Sequence, residues 1–225
     1  MKDESEVHGE AGLAAALARH QIELPADQIE LLERYCGLLW EINKSLNLTR
    51  HTDYEKFVSR DLVDTMMIEK QLGPDERVLD VGTGGGVPGI VLAILRPDLE
   101  VTLTESVGKK AKAVGEIVAG LSLSKSAGLS IAVHHGRAED LLGARAFDTL
   151  VARAVAPLEK LLTWFQPHWG AFDRLLVIKG PAWVEERKKS RDRHLLDDLQ
   201  LRKLATWPLP GTESESVLLE IKPKE

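Results

Sequence analysis

One stretch of sequence decides the fold: Leu79-Asp80-Val81-Gly82-Thr83-Gly84-Gly85-Gly86-Val87-Pro88-Gly89, residues 79–89. It joins an apolar run to a segment of helical length, which predicts a glycine-rich turn between a strand and a helix. Glycines in such a turn tolerate positive φ and let a ligand come close to the backbone. The helix that follows offers unpaired N–H groups and the positive end of its dipole. We therefore expect an anionic group of a ligand at this turn.

Beyond the turn, short β-branched runs alternate with segments of helical length, which predicts right-handed crossovers and a parallel sheet. Two late runs, near 200–206 and at 216–221, are joined through Pro208-Leu-Pro210-Gly211 and predict an antiparallel hairpin on the sheet edge. The predicted strands are RVLDVG, EVTLTE, SIAVHH, FDTLVARA, RLLVI and the two late runs. We expect an α/β, Rossmann-like, mostly parallel sheet of seven strands.

Upstream of the sheet, apolar residues recur three or four positions apart, which predicts helices over 12–20, 25–46 and 54–71. We expect residues 1–73 to form an N-terminal helical cap and residues 74–225 to form the Rossmann-like domain, the two packed as one compact unit. A flexible loop is predicted from Ser122 to Gly128.

The composition excludes several classes of protein. One cysteine in 225 residues rules out an intramolecular disulfide framework, and no apolar run approaches the roughly 18 residues of a transmembrane helix. We expect a soluble, cytoplasmic monomer with no membrane partner. Residues 1–70 carry 8 basic and 14 acidic side chains, which accounts for the whole net charge of −6. The remainder is balanced, so nucleic acid stays a candidate partner.

Motifs of other chemistries are missing from the sequence. It contains no His-Glu-x-x-His zinc motif, no phosphate-binding loop ending in Gly-Lys-Ser/Thr and no Gly-x-Ser-x-Gly nucleophile elbow. His134 and His135 are adjacent on a predicted strand and point to opposite faces, so they cannot chelate one ion together. We expect no metal.

Two cofactors remain open for the glycine turn. Gly84, Gly86 and Gly89 satisfy the dinucleotide fingerprint of an NAD(P)-dependent oxidoreductase. Glu105 lies where an acidic side chain accepts hydrogen bonds from a ribose, which NAD and S-adenosylmethionine both carry. Asp80 is typical of the S-adenosylmethionine loop, where it holds the cationic amino-acid end of the cofactor directly or through water; the alternative is a capping or salt-bridging carboxylate. Both tyrosines precede the sheet, so a Tyr/Lys pair for hydride transfer is not evident.

The sequence also resembles a known family. The run DVGTGGGVPGIVLAILRPDLEVTLTESVGKKAKAV, residues 80–114, is similar to the core signature of the bacterial small-subunit ribosomal RNA guanine-N7 methyltransferases, the RsmG or GidB family. The resemblance takes in WEINKSLNLT at 40–49 and RDLVDT at 60–65, then GRAE at 136–139, the segment 147–154 and IKG at 178–180. It covers about residues 30–182.

The resemblance implies a class I S-adenosylmethionine-dependent methyltransferase fold. It also implies methyl transfer to N7 of a guanosine in 16S ribosomal RNA, free or in the small ribosomal subunit. N7 of neutral guanine carries no proton, so no general base is required and no catalytic residue is assigned. The expected cofactor residues are Asp80, Gly84 and Gly86 in the turn, Gly82 and Val87 at the methionine end, Glu105 at the ribose, Ala138 and Glu139 at the adenine, and Arg153 beside the methionine.

Contacts with RNA are expected on the same side of the sheet as the loops that bind the cofactor. Positive charge moves onto the guanine during the reaction, so we expect Arg153 to bind the methionine carboxylate or an RNA phosphate rather than N7; the alternative is an ion pair at the sheet end. The basic residues expected to bind phosphates are Lys109, Lys110, Arg137 and Lys179. The amides of Asn43 and Asn47 either contact bases or fasten the N-terminal helices to the sheet.

The chain departs from the family pattern at two places where RNA contacts are expected, and the Ser122–Gly128 segment is also longer than is usual in the family. Asp61 stands where the family commonly has histidine, and Glu213-Ser-Glu215-Ser216 stands where it often has an Arg-His pair. These departures predict that RNA contacts there are lost or moved. A further alternative is a non-catalytic RNA-binding or ribosome-assembly protein, against which the intact glycine turn and Glu105 argue.

Overall fold

The computed structural model describes residues 12–122, 128–143 and 146–224. Residues 123–127 of the predicted flexible loop lie outside the described residues, as do residues 1–11 of the predicted cap. In the ranges that are described, no helix has the length and apolar character needed to cross a membrane.

Seven strands form one sheet, as predicted. Its strands are β1 (Arg77–Asp80), β2 (Glu100–Glu105), β3 (Ser130–His135), β4 (Phe147–Arg153), β5 (Phe172–Lys179), β6 (Leu199–Pro208) and β7 (Glu215–Pro223). Their order is β3-β2-β1-β4-β5-β7-β6. The first five strands pair in parallel, and β7 pairs antiparallel with both β5 and β6. The predicted edge hairpin is confirmed, with its second strand placed inside the edge rather than outermost.

The helices follow the predicted pattern with two additions. They are α1 (Leu13–Arg19), α2 (Ala26–Asn43), α3 (Tyr54–Lys56), α4 (Val63–Glu69), α5 (Gly89–Leu95), α6 (Gly108–Ser122), α7 (Ala138–Leu142), α8 (Leu158–Phe165) and α9 (Trp183–Asp192). A π-helical segment, Phe57–Leu62, joins α3 to α4, and a 3-10 turn, Gln166–His168, follows α8. The sequence pattern did not predict α7 or α8, which are short.

The predicted second helix ends earlier than its apolar stripe suggests. It stops at Asn43, whose side-chain oxygen accepts the backbone N–H groups of Leu48 and Thr49 at 2.8 and 3.0 Å. Its amide nitrogen donates to the carbonyl of Thr49 at 3.0 Å. These side-chain bonds give the chain an alternative to further helix and turn it towards the sheet.

Successive residues of a strand face opposite sides of the sheet, and each side carries its own core. On one side, Val78 of β1 belongs to a hydrophobic cluster that includes α1, α2, α5 and α6. On the other side, Leu79 belongs to a cluster that includes α7 and α8. The described N-terminal helices therefore share one core with the sheet. The carboxyl ends of β1, β2, β4 and β5 lie along one edge of this layered structure, where ligands bind in open parallel sheets.

Candidate active site

The glycine turn after β1 has the backbone geometry that the sequence predicts. Gly82, Gly84 and Gly86 have φ of 65°, 58° and 101°, in the region that side chains other than glycine rarely adopt. Gly82 also lies close to the segment after β4, because a Cβ placed on it would be 3.1 Å from Val155 Cγ1. The turn is therefore compact and leaves its backbone open to a ligand.

Asp80 holds this turn in place through hydrogen bonds. Its side chain is buried, and its Oδ2 accepts the hydroxyl of Thr83 at 2.6 Å and the N–H of Gly89 at 2.9 Å. Burial raises the pKa of Asp80 to about 6, against the lowering effect of these hydrogen bonds. Its Oδ1 is buried and, among the described residues, has no hydrogen-bond partner. Asp80 thus acts as the capping carboxylate of the alternative interpretation, and only Oδ1 remains for a contact with the cofactor.

A cavity of about 380 Å³, here called the loop cavity, lies above the glycine turn. The turn, β2 and β4 supply one part of its wall, and Leu39, Leu48 and Thr49 from the N-terminal region supply the other. It brings together these residues predicted from the sequence: Gly82, Gly84, Val87, Glu105, Lys110 and Arg153. Gly86 is not on its wall, and neither is Asp80.

Glu105 is the carboxylate of the loop cavity. It is the last residue of β2 and is 7% exposed. Its Oε1 accepts the N–H of Val107 at 2.8 Å, which fixes the orientation of the carboxylate. No described protein group bonds the second oxygen, Oε2. Glu105 therefore offers a fixed acceptor to hydroxyl groups in the cavity.

A smaller cavity of about 150 Å³ adjoins the loop cavity through Gly82, Ser106 and Val155. Ala138 and Glu139, predicted for the adenine, are on its wall. Trp164 of α8 also lines it. Arg137, predicted to contact RNA, lies here with its side chain 66% exposed and 3.9 Å from the Glu139 carboxylate. The loop cavity and this smaller cavity together form a slot across the ends of β1, β2 and β3.

Arg153 closes the loop cavity on its other side and is held by two aspartates. Its guanidinium lies 2.6 Å from Asp61 Oδ1 and 3.1 Å from Asp64 Oδ2. Burial disfavours its charge, but the two carboxylates raise the pKa of Arg153 above the ordinary value. Asp61 also bonds His51 Nδ1 at 2.9 Å, and Asp64 accepts the indole N–H of Trp207 at 3.0 Å. The ion pair at the sheet end is present, and it leaves three of the five guanidinium N–H groups for other partners.

A second large cavity, here called the acceptor cavity, lies beyond Arg153. It has a volume of about 600 Å³ and shares Arg153, Ala154 and Val155 with the loop cavity. Its polar wall residues are His51, Arg60, Asp64, Lys179, Glu186 and Ser216. The two cavities meet at the end of β4, so groups bound in each would be neighbours across these shared residues.

The remaining residues predicted to contact RNA do not lie together in one cluster. Lys110 is half-buried at the loop cavity, and Lys109 beside it is exposed. Lys179 lines the acceptor cavity and is buried. Asn43 is bound to backbone groups as described above, which favours the fastening role, whereas Asn47 is exposed.

The two departures from the family pattern lie beside the acceptor cavity. Asp61 is 1% exposed, and it bonds Arg153 and His51. Of the segment 213–216, Ser216 is buried and lines the cavity. His51 is thus an imidazole on the wall of a cavity beside which the expected histidine is missing. Sequence spacing gave no signal for His51. Its partner Asp61 is ten positions away, and the helix α3 begins between the two residues.

The tie between the helical cap and the glycine turn was also missed from the sequence. The hydroxyl of Tyr35, on α2, donates to the carbonyl of Gly85 at 2.8 Å. Burial raises the pKa of Tyr35 well above its ordinary value, so the hydroxyl stays protonated and available as a donor. The residue had no motif around it, and only its place on the buried stripe of α2 marked it.

The sheet order, the inserted antiparallel strand and the slot at the strand ends define a class I methyltransferase fold. Solved structures agree on the fold alone. A crystal structure of an MtNAS mutant has a TM-score of 0.56 and 15% identity, covering 99% of this chain and 78% of that chain. An rRNA methylase from Streptococcus thermophilus has a TM-score of 0.51 and 12% identity, covering 74% of this chain and 98% of that chain.

The sequence comparisons are more specific. Residues 28–208 match the family GidB, described as rRNA small subunit methyltransferase G. A ribosomal RNA small subunit methyltransferase G from Rhodopirellula baltica is 46% identical over 206 residues, covering 92% of this chain and 87% of the relative. One from Pseudomonas aeruginosa is 33% identical over 201 residues, covering 89% of each. The chain belongs to the rRNA small subunit methyltransferase G family, as the sequence resemblance predicted.

Proposed function

We propose that this protein transfers the methyl group of S-adenosylmethionine to N7 of one guanosine in 16S ribosomal RNA. Family membership supports an S-adenosylmethionine-dependent methylation of 16S ribosomal RNA. The observation that carries the proposal is the meeting of two cavities at Arg153, Ala154 and Val155, one beside the glycine turn and one beyond it. A transfer reaction needs such an arrangement, since donor and acceptor must be held side by side.

The slot fits the chemical groups of the cofactor. Glu105 supplies a fixed carboxylate for the ribose hydroxyls, and Ala138 and Glu139 lie at the smaller cavity, which suits an adenine. Arg153 keeps free N–H groups for the methionine carboxylate. Asp80 is not on the cavity wall and its unpaired Oδ1 is buried, so we propose that it supports the cofactor site by holding Thr83 and Gly89 of the turn. We assign the first three contacts to the cofactor, with Asp80, Gly82, Gly84, Gly86 and Val87 shaping the turn.

The residues of this chain would act by position rather than by proton transfer. S-adenosylmethionine, when bound, supplies an electrophilic methyl group on a positively charged sulfur. The lone pair of guanine N7 is free at neutral pH, so the chain needs to supply no base. Holding the reacting atoms in line can contribute up to about 7–11 kcal/mol to the lowering of a barrier. Asp61 and Asp64 hold the Arg153 guanidinium and balance its charge at the wall that the two cavities share.

The two alternative functions are not favoured. An NAD(P)-dependent oxidoreductase would use the same glycine turn, but the family and the curated relatives are methyltransferases. A non-catalytic RNA-binding protein would not require the fixed acceptor at Glu105 or a slot joined to a second cavity. The partner that we propose is 16S ribosomal RNA or the small ribosomal subunit, and Lys109, Lys110 and Arg137 on the rim are proposed phosphate contacts.

The test is methyl transfer in a purified system. The protein is incubated with S-adenosylmethionine and with small subunits, or their extracted 16S RNA, from cells that lack this gene, and the RNA is mapped by mass spectrometry. We expect a single new 7-methylguanosine. Methyl groups on another atom, on another RNA or on none would overturn the proposal. Thermal-shift titration separates the cofactors, because S-adenosylhomocysteine should stabilise the protein and NAD should not.

A further inference from the structure

The acceptor cavity contains an ion pair that the proposed cofactor site does not use. Lys179, the last residue of β5, lies with its Nζ 2.8 Å from Glu186 Oε2 on α9. Their side chains are 9% and 21% exposed, so the pair is largely desolvated at the cavity wall. Buried ion pairs of this kind are costly to build, and exchange for apolar residues is often neutral or stabilising. Stability alone therefore does not account for this pair, which makes it a candidate for binding a polar group in the cavity.

Each member of the pair is fixed and keeps one bonding position open. Lys179 Nζ also donates to the Ala156 carbonyl at 2.5 Å, so two of its three N–H donors are used. Glu186 Oε2 accepts a second bond, the N–H of Leu158 at 2.8 Å. No described protein group bonds Glu186 Oε1. The wall therefore presents a fixed donor and a fixed acceptor next to each other.

The place of this pair follows from the strand order. The proposed cofactor contacts follow β1, β2, β3 and β4, whereas Lys179 ends β5, one strand further from β1. Glu186 is further along the chain on α9. Across the acceptor cavity, the shared wall at Arg153 and the Lys179–Glu186 pair thus belong to successive positions along the sheet edge.

Guanine carries its polar groups in a matching order. Along one side of the base, the N7 acceptor is followed by the O6 acceptor, the N1–H donor and the N2 amino donor. With N7 at the shared wall, O6 would meet the donor of Lys179 and N1–H would meet the acceptor of Glu186. Adenine has the reverse pattern at the second and third of these positions, an amino donor and then an N1 acceptor, and would leave both charges unmatched.

We propose that Lys179 and Glu186 determine the acceptor specificity of this protein by binding guanine O6 and N1–H in the acceptor cavity. The inference rests on the proposed function, because it takes a guanine methylated on N7 as the acceptor. It goes further by assigning a base-recognition site and two specificity-determining residues. Lys179, expected from the sequence to bind a phosphate, binds the base instead.

Glu186→Gln is a sharp test because the protein contacts dictate how the amide is oriented. Lys179 and the N–H of Leu158 both donate to Oε2, so the glutamine carbonyl oxygen takes that position. The amide nitrogen then replaces Oε1 and turns a donor towards guanine N1–H. The contacts of the fold are kept while the polarity towards the base is reversed. Glu185→Gln, an exposed neighbour on the same helix, is the matched control.

The assay compares acceptor bases within full-length 16S RNA. Splint ligation places guanosine, inosine or 2-aminopurine riboside at the nucleotide that mass mapping has identified. All three keep N7, but 2-aminopurine lacks O6 and N1–H, whereas inosine keeps both. We expect the wild type to lose about 100-fold in kcat/KM on 2-aminopurine and less than about tenfold on inosine. This wild-type comparison needs no variant to fold.

The variants then separate recognition from structure. We expect Glu186→Gln to lower kcat/KM on guanosine by about 10- to 100-fold and on 2-aminopurine by less than about threefold, with unchanged binding of S-adenosylhomocysteine. Glu185→Gln should behave as wild type. Equal losses on both bases would mean a merely structural pair and overturn the inference, as would wild-type activity on 2-aminopurine equal to that on guanosine. A wild type that methylates no ribosomal RNA would instead overturn the proposed function.

Discussion

The proposed ribose contact of Glu105 leads to a quantitative prediction for Glu105→Gln. Glu105 Oε1 accepts the N–H of Val107 at 2.8 Å, so a glutamine keeps its carbonyl oxygen there. Its amide nitrogen then takes the place of Oε2 at the loop cavity and can no longer accept a hydroxyl. The side chain keeps its shape and its backbone contact, so the change acts on the ligand rather than on the fold.

The expected size follows from the bonds that are lost. A hydrogen bond to a charged group contributes about 1.5–3 kcal/mol, and Glu105 is 7% exposed, so solvent screens it little. Two ribose hydroxyls sharing one oxygen do not add fully. We expect a loss of about 2–3 kcal/mol, which is about 30- to 150-fold in the Kd for S-adenosylhomocysteine.

Isothermal titration calorimetry with S-adenosylhomocysteine measures this loss directly. Glu116→Gln on α6 is the matched control. The Glu116 side chain is 57% exposed, and its ion pair with Lys112 is long, at 3.9 Å. A ribose contact is made equally in the ground and transition states, so methyl transfer at saturating cofactor should change by less than about threefold. An affinity within about threefold of wild type, in a variant with unchanged thermal stability, would remove Glu105 from the cofactor site.

Three further predictions concern the framework around the site. Gly89→Ala should cost about 1–3 kcal/mol in a denaturant titration, because the new Cβ would clash with the side chain of Leu103 and lie 2.7 Å from Asp80 Oδ2. Gly115→Ala, where the new Cβ would meet nothing within 4 Å, is the control, and equal effects of the two substitutions would contradict the crowding. Burial raises the pKa of Asp80 to about 6, so the folded state binds this proton more tightly than the unfolded state. Relative to Asp80→Asn, the wild type should gain about 2 kcal/mol as pH falls from 7 to 4, and a constant difference would refute the raised pKa. Asp61→Asn should lower unfolding free energy by about 3 kcal/mol by removing a carboxylate 2.6 Å from the buried Arg153, and a loss under about 0.5 kcal/mol would contradict this.

The strands and the main helices were predictable because their signals are local. The alternation of β-branched runs and helical segments located all seven strands, and EVTLTE and SIAVHH match β2 and β3 residue for residue. The short helices α7 and α8 were missed. The five residues of α7 are too few to display a helical period, and the eight residues of α8 span little more than two turns. Whether such short segments form helices is decided by their tertiary packing against the sheet.

The candidate site was predictable only in part, for a related reason. Glu105 and the glycine turn lie at strand ends, and strand order brings strand ends together without knowledge of side-chain partners. Asp80 is buried beneath the turn because the chain folds back and places the N–H of Gly89, nine positions later, against its carboxylate. Sequence spacing alone does not reveal this contact. Glu186 lies on α9, a helix of charged composition, and no sequence motif pairs it with Lys179. Its contact with Lys179 appears only when α9 is packed beside β5.

Asp61 shows how a departure from the family pattern is balanced by its surroundings. Taken alone, an aspartate in place of histidine removes a cation from the acceptor side and adds an anion. In the structure, that anion is buried between Arg153 and His51 and lies 2.6 and 2.9 Å from their nitrogens. A histidine at position 61 would instead place an imidazole, neutral or cationic, against the Arg153 guanidinium. Arg153 would then keep Asp64 as its carboxylate partner. The same aspartate holds His51 on the cavity wall. The acceptor cavity therefore has an imidazole on its wall although position 61 is an aspartate.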